Sequence, residues 1–278
     1  MLTLTILIEN TSYRDDLLST KGLSILLEDG DERVLFDTGT DGAFLKNAET
    51  LGIPLENIEH VALSHGHFDH AGGIPALCDL FANSAQRPTL TCHPDCFIER
   101  YSGKLTGGRP VLIKKLDAGL DEATVRANFV MCDSKEPQHI GSKFLFLGEI
   151  PRKPSFKGGG AFGIVKQGEN YIDDFLYDDT GIVWKGKEGL VIITGCSHSG
   201  ICNIVERAQD VTGEKKIAAI VGGLHLRAAS IGHVYEVRNF FQRVGIQESY
   251  ACHCTGKWGK LWLPNNKRIT TGDVLQFQ

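Results

Sequence analysis

The chain has no apolar run approaching the roughly 18 residues that a membrane-spanning helix needs. Its opening, Met1 to Asn10, lacks the basic segment and small-residue cleavage site of a signal peptide. The expectation is a cytoplasmic protein with no membrane partner. Basic charge is also short: 29 Lys and Arg stand against 34 Asp and Glu, a formal net charge of −5. That balance argues against a general nucleic-acid binder, which would carry a basic face. It leaves room for a local basic pocket that takes a small anion. A disulfide framework is not expected either. In 278 residues without a secretory signal, the eight cysteines read as reduced thiols. Cys92 and Cys96 have no matching pair at zinc-knuckle spacing, so they too read as free.

What the chain does have is ordinary globular composition, 42% apolar and 23% charged. Its length suits one large α/β domain or two small ones. The N-terminal alternation reads as a strand. Gly22 to Glu28 and Arg33 to Phe36 read as strands joined by the turn Asp29-Gly30-Asp31. A helix is expected over Ala43 to Leu51 and a strand over Ile58 to Leu63. The segment 85–187 holds most of the Pro and Gly punctuation and reads as an irregular lid or substrate loop. Beyond it, Gly189 to Thr194 and Lys216 to Val221 read as strands, Ile204 to Val211 and Val234 to Val244 as helices, and Ile269 to Phe277 as a final strand.

The densest chemistry is Ser64-His65-Gly66-His67-Phe68-Asp69-His70, three imidazoles and a carboxylate within six residues. Imidazole and carboxylate together suit Zn²⁺, Mn²⁺ or Fe. His65 and His67 are two apart, so in an extended segment both point to one side and can grip one metal. Asp69 and His70 follow where a helix should begin and can face a second. Two metals about 3.5–4 Å apart can share a water and lower its pKa. Three further histidines, His198, His225 and His253, each follow an apolar run at a strand end. A two-metal shell needs such distant ligands.

Asp37-Thr38-Gly39, His65-x-His67-x-Asp69-His70 and Thr194-Gly195-Cys196 together resemble the metallo-β-lactamase superfamily. The resemblance implies a four-layer αββα sandwich: one domain over 1–278 with the metals at one edge of two packed sheets. Gly148-Glu149-Ile150-Pro151-Arg152, Gly195 to Gly200, Gly222 to Leu226 and His253 to Gly256 look like the subgroup named for a dihydropteroate-synthase-like activity. That subgroup implies a pterin-related or phosphate-bearing substrate.

The chain departs from the superfamily pattern. Cys196 stands where a bridging Asp is usual, as a metal contact or as a structural thiol. A third-motif histidine is missing, and His198 could supply it. The last ligand is His225 if the β-lactamase order holds and His253 if the order of the tRNA 3′-processing nucleases holds; the second is preferred, with His225 then a proton donor. The resemblance thus implies His65, His67 and His198 on one metal and Asp69, His70 and His253 on the other. Zinc is the first expectation, two ions, with Mn or Fe open. Asp69 would also orient water. Arg152, Lys153 and Lys157 would contact phosphate. The expected function is a metal-dependent hydrolase or transferase acting on a small anionic metabolite. The alternatives are a di-iron redox protein of the same fold and a non-catalytic metal-stabilised binding protein. The sequence carries no reading of oligomeric state.

Overall fold

Buried apolar side chains fill Leu2–Ile8, and that strand lies second in a seven-stranded sheet. The order is Val274–Phe277, Leu2–Ile8, Ser24–Asp29, Glu32–Phe36, His60–Ala62, Thr89–Cys92 and Val130–Asp133. Pairings as far as Glu32–Phe36 are antiparallel and the remainder parallel. This computed structural model describes residues 1–82, 84 and 87–278. Asn83, Ala85 and Gln86, at the expected start of the middle segment, lie outside the described residues.

A second sheet of six strands runs Glu248–Cys252, Ile217–Gly223, Gly189–Thr194, Gly181–Gly186, Phe144–Phe146 and Gln138–Ile140. Its first three strands are parallel. Leu190 to Ile193 is apolar without alternation because layers cover that strand on both faces.

The sheets pack face to face. Leu4, Ile25 and Phe36 of the first meet Phe144, Val191 and Val221 of the second in one buried cluster. Full burial of each such side chain is worth about 1.5–3 kcal/mol. Helices Ala43–Thr50, Ile74–Phe81 and Glu122–Asn128 cover the outer face of the first sheet through Phe44, Leu77 and Val125. Helices Ile201–Thr212 and Ile231–Val244 cover the second through Ile204, Val205 and Phe241. This is the expected αββα sandwich. Among the described residues, no helix is long and apolar enough to cross a membrane.

Two expectations need correction. The segment 85–187 is not one irregular lid, since it supplies five strands to the two main sheets. Standing apart is a four-stranded sheet in the order Asn170–Asp173, Ile164–Gln167, Arg100–Thr106 and Arg109–Lys115. Six strands of the segment have only three or four residues, too short a pattern for periodicity to register, and Arg109–Lys115 is exposed throughout, with no buried face to alternate. The final strand begins at Val274 rather than Ile269, because Gly272, with φ of 92°, turns the chain just before it.

Candidate metal centre

Each parallel strand hands its chain to the same edge of the sandwich. His60–Ala62 leads into His65, His67, Asp69 and His70; Gly189–Thr194 into Cys196 and His198; Ile217–Gly223 into His225; and Glu248–Cys252 into His253. Asp37, Ser197, His225 and His253 sit just past strand ends with φ of 60, 62, 50 and 49°. Left-handed backbone costs a non-glycine residue roughly 1–2 kcal/mol, and such strain gathers at functional sites.

His65 Nε2 lies 3.1 Å from His67 Nδ1. The His198 ring centre is 5.0 and 4.9 Å from the rings of His65 and His67. Beside this trio, His70 Nε2 lies 3.2 Å from both His253 Nε2 and Cys196 Sγ. Asp69 Oδ2 is 3.7 Å from His253 Nε2. Donor atoms lie within 4.8 Å of one another in each of the sets His65–Cys196–His198, His70–Cys196–His253 and Cys196–His225–Cys254.

These residues fit divalent metal. The ring nitrogens of His198 and Nδ1 of His225 are buried without a hydrogen-bond partner. An unsatisfied buried polar group costs about 1–3 kcal/mol, which a cation would offset. Two metal–nitrogen bonds of about 2.0–2.1 Å at a tetrahedral angle set their nitrogens about 3.3 Å apart. The spacings of 3.1 and 3.2 Å found here are close to that.

Outer partners aim the rings. Ser64 Oγ lies 2.9 Å from His65 Nδ1. Asp37 Oδ2 lies 2.7 Å from His70 Nδ1 and also accepts from Ser64 Oγ at 2.7 Å. Asn10 Oδ1 lies 3.0 Å from His253 Nδ1. In all three rings this leaves Nε2 facing inward, as outer partners do in metal sites.

Burial first, and then neighbouring histidines, hold His65 and His198 well below the usual imidazole range. Burial likewise lowers His67 to about 3. The neutral ring is the form that ligates. Burial also opposes charge on His70, but the charge and hydrogen bond of Asp37 outweigh it and raise that pKa to about 9. Burial pushes the Cys196 thiol well above its usual range.

A cavity of about 240 Å³ opens over this edge. Lys21, Phe68, Asp69, Phe162, His225 and Arg227 are among its lining residues. The Phe162 ring stands 5.0 Å from His198 and 4.9 Å from His225, centre to centre. It sits on the loop that carries Gly158-Gly159-Gly160.

Thus His65, His67, His198, Cys196, Asp69, His70 and His253 all converge, with His225 at the cavity wall. Arg152, Lys153 and Lys157 do not line the cavity. Arg152 donates to the carbonyls of Phe175 and Leu176, and Lys153 Nζ pairs with Glu206 at 2.5 Å. The Lys157 N–H is held by Glu236. Their segment packs on the two helices of the second sheet, which turns its basic groups away. Lys21 and Arg227 are the cations at the cavity instead. The sequence reading missed them, as it missed Asn10 and Ser64. Asp37 was within reach through the Asp-Thr-Gly motif.

Residues 20–124 match the family described as the metallo-beta-lactamase superfamily. An uncharacterized protein of Methanocaldococcus jannaschii is 29% identical over 258 residues, 90% of each chain. The 7,8-dihydropterin-6-methyl-4-(beta-D-ribofuranosyl)-aminobenzene-5′-phosphate synthase of the same organism is 28% identical, over 95% of this chain and 92% of that one. The crystal structure of a metal-dependent hydrolase of the beta-lactamase superfamily superposes with a TM-score of 0.83 at 28% identity, over 100% of this chain and 99% of the other. Sandwich, strand-end histidines and these likenesses agree: the chain is similar to the metallo-beta-lactamase superfamily in fold along its whole length and in family pattern over residues 20–124.

Proposed function

We propose that the protein is a metal-dependent hydrolase, or a diphosphate-releasing transferase, acting on a small anionic phosphorylated or ester-like metabolite. The observation that carries this is the convergence of imidazole, carboxylate and thiol donors from two sheets around buried ring nitrogens that find no protein partner. His65, His67 and His198 would hold one ion. Asp69, His70 and His253 would hold the other, with Cys196 placed between the two sets. A mixed nitrogen, oxygen and sulfur shell suits zinc. When bound, two divalent ions would supply a nucleophile at neutral pH and polarise the phosphoryl or carbonyl group under attack.

The chain's own groups do the rest. Asp69 Oδ2 can accept a proton from water while Lys21 Nζ, 3.7 Å away, offsets its charge. His225 faces the cavity and can protonate a leaving group. Phe162 shields the reacting centre from bulk water. Lys21 and Arg227 draw in the anion. The transferase alternative is favoured by the likeness to the pterin phosphate synthase. A di-iron redox centre would carry a further carboxylate where Cys196 stands, so the hydrolytic reading is preferred.

Metal analysis, an optical spectrum, and a panel of phosphodiesters, diphosphates, thioesters and lactones form the test. His67→Ala and Asp69→Ala should fold yet lose turnover. Full activity in a metal-free preparation would refute the proposal.

A further inference from the structure

Arg227 lines two cavities, the one over the metal centre and a second of about 340 Å³ beside it. The other walls of the second are apolar: Leu226, Ala229, Ile231, Val234, Trp258 and Trp262. The two tryptophans are four apart on the helix Gly256–Trp262, so their rings share a face. Ile231 is 82% exposed, Trp258 74% and Trp262 38%. Single exposed apolar side chains need no explanation, but a contiguous group lining a groove marks a binding surface.

The groove is fixed to the metal edge. The Arg227 N–H bonds the Cys254 carbonyl at 3.1 Å, and its guanidinium donates to the His253 carbonyl at 3.3 Å. Gly256, with φ of 72°, opens the tryptophan helix; a Cβ there would lie 2.9 Å from Arg227 Cα. Arg238 lies over the Trp262 ring at 5.9 Å and braces it.

A purely apolar occupant would not use Arg227, and a bare anion would not use two indoles. Resting on the hydrolytic reading above, we infer that the substrate is an anionic ester with an aromatic, planar apolar portion. Its anionic group lies at Arg227 and Lys21, and its ring lies on Trp258 and Trp262. Indole faces stack on flat rings, and a guanidinium fork matches an oxyanion.

The test is binding of benzylphosphonate and methylphosphonate to the protein carrying its metal as purified, read by calorimetry and tryptophan emission. Benzylphosphonate should bind about tenfold more tightly, in line with burial of one ring, and should change the emission. In Trp258→Ala the ratio should fall towards one, and Trp258→Phe should recover most of it. Equal affinities, or a benzyl preference that survives Trp258→Ala combined with Trp262→Ala, would overturn the assignment. So would a concentration-dependent dimer covering Trp258 with no benzyl preference. Stripped protein separates the two readings. If each phosphonate binds the stripped protein as tightly as the loaded one, with the benzyl preference intact, the metal reading fails and the groove assignment stands.

Discussion

Asp178 holds the backbone of Gly66: its Oδ2 accepts the Gly66 N–H at 2.8 Å, between the two histidines that open the metal motif. Its Oδ1 pairs with Arg100 Nη2 at 2.7 Å, and Arg100 binds both oxygens of Asp174 at 2.7 and 2.8 Å. All three side chains are buried. Asp178→Ala therefore removes the anchor of the His65–His67 loop and half the counter-charge of a buried guanidinium. We expect a loss toward the low end of about 3–5 kcal/mol, because Asp174 remains. Metal affinity should also fall about tenfold, as when outer partners are lost elsewhere. Denaturant melts and chelator competition would measure the two effects separately.

Asp37 touches His70 and Ser64 but lines no part of the substrate cavity. Asp37→Asn should leave the fold intact and weaken metal binding by about 10–100-fold. Metal titration by competition with a chromophoric chelator checks this. Unchanged affinity would mean that the carboxylate does not set the basicity of His70.

Gly195 lies where the strand Gly189–Thr194 meets the site. A Cβ there would stand 2.0 Å from Ser64 Oγ and 3.0 Å from Asp37 Oδ2. Gly195→Ala should cost about 1–3 kcal/mol through overpacking. It should also displace the Ser64 and Asp37 pair that aims His65 and His70. Thermal melts with and without added metal would show both losses together.

Substrate contacts should follow the cavity rather than the basic stretch near the glycine run. Arg227→Ala and Lys21→Ala should raise KM for an anionic ester by roughly tenfold, the loss of one charge-assisted contact. Lys153→Ala should change KM by less than about twofold, since Lys153 is committed to Glu206 on the surface. Steady-state kinetics at two salt concentrations would separate the groups.

Chelation should destabilise the protein as well as silence it. Ions present at about a thousand times Kd add about 4 kcal/mol to the folded state. Their removal should lower Tm by roughly 10 °C. Calorimetry before and after chelation measures the shift, and a Tm indifferent to chelator would sink the idea that these ring nitrogens hold metal.

The metal motif was legible because its spacing is local: His65 to His70 fit within one turn and one helix start. His198, His225 and His253 could be found because each ends an apolar strand. Individual strands and helices followed from apolar runs, whereas the four layers were implied by the resemblance and not by the pattern of the residues. The Arg100 ion pair was illegible, since Asp174 lies 74 residues away and a single arginine carries no sign of its partner. Arg152, Lys153 and Lys157 misled for the opposite reason. A basic stretch beside glycines looks like a phosphate loop in any chain, and the direction of its side chains is decided by helices that come later. Lys21 and Arg227 stand alone in sequence and acquire meaning when the sheets pack.

Cys196 and His253 stand 126 and 183 residues from His70, on the opposite sheet. Neither half-site can close until the two sheets have docked. A nascent chain ending before Gly189 would hold only His65, His67, Asp69 and His70 of the candidate ligands. The full set of candidate ligands is therefore a product of sheet docking.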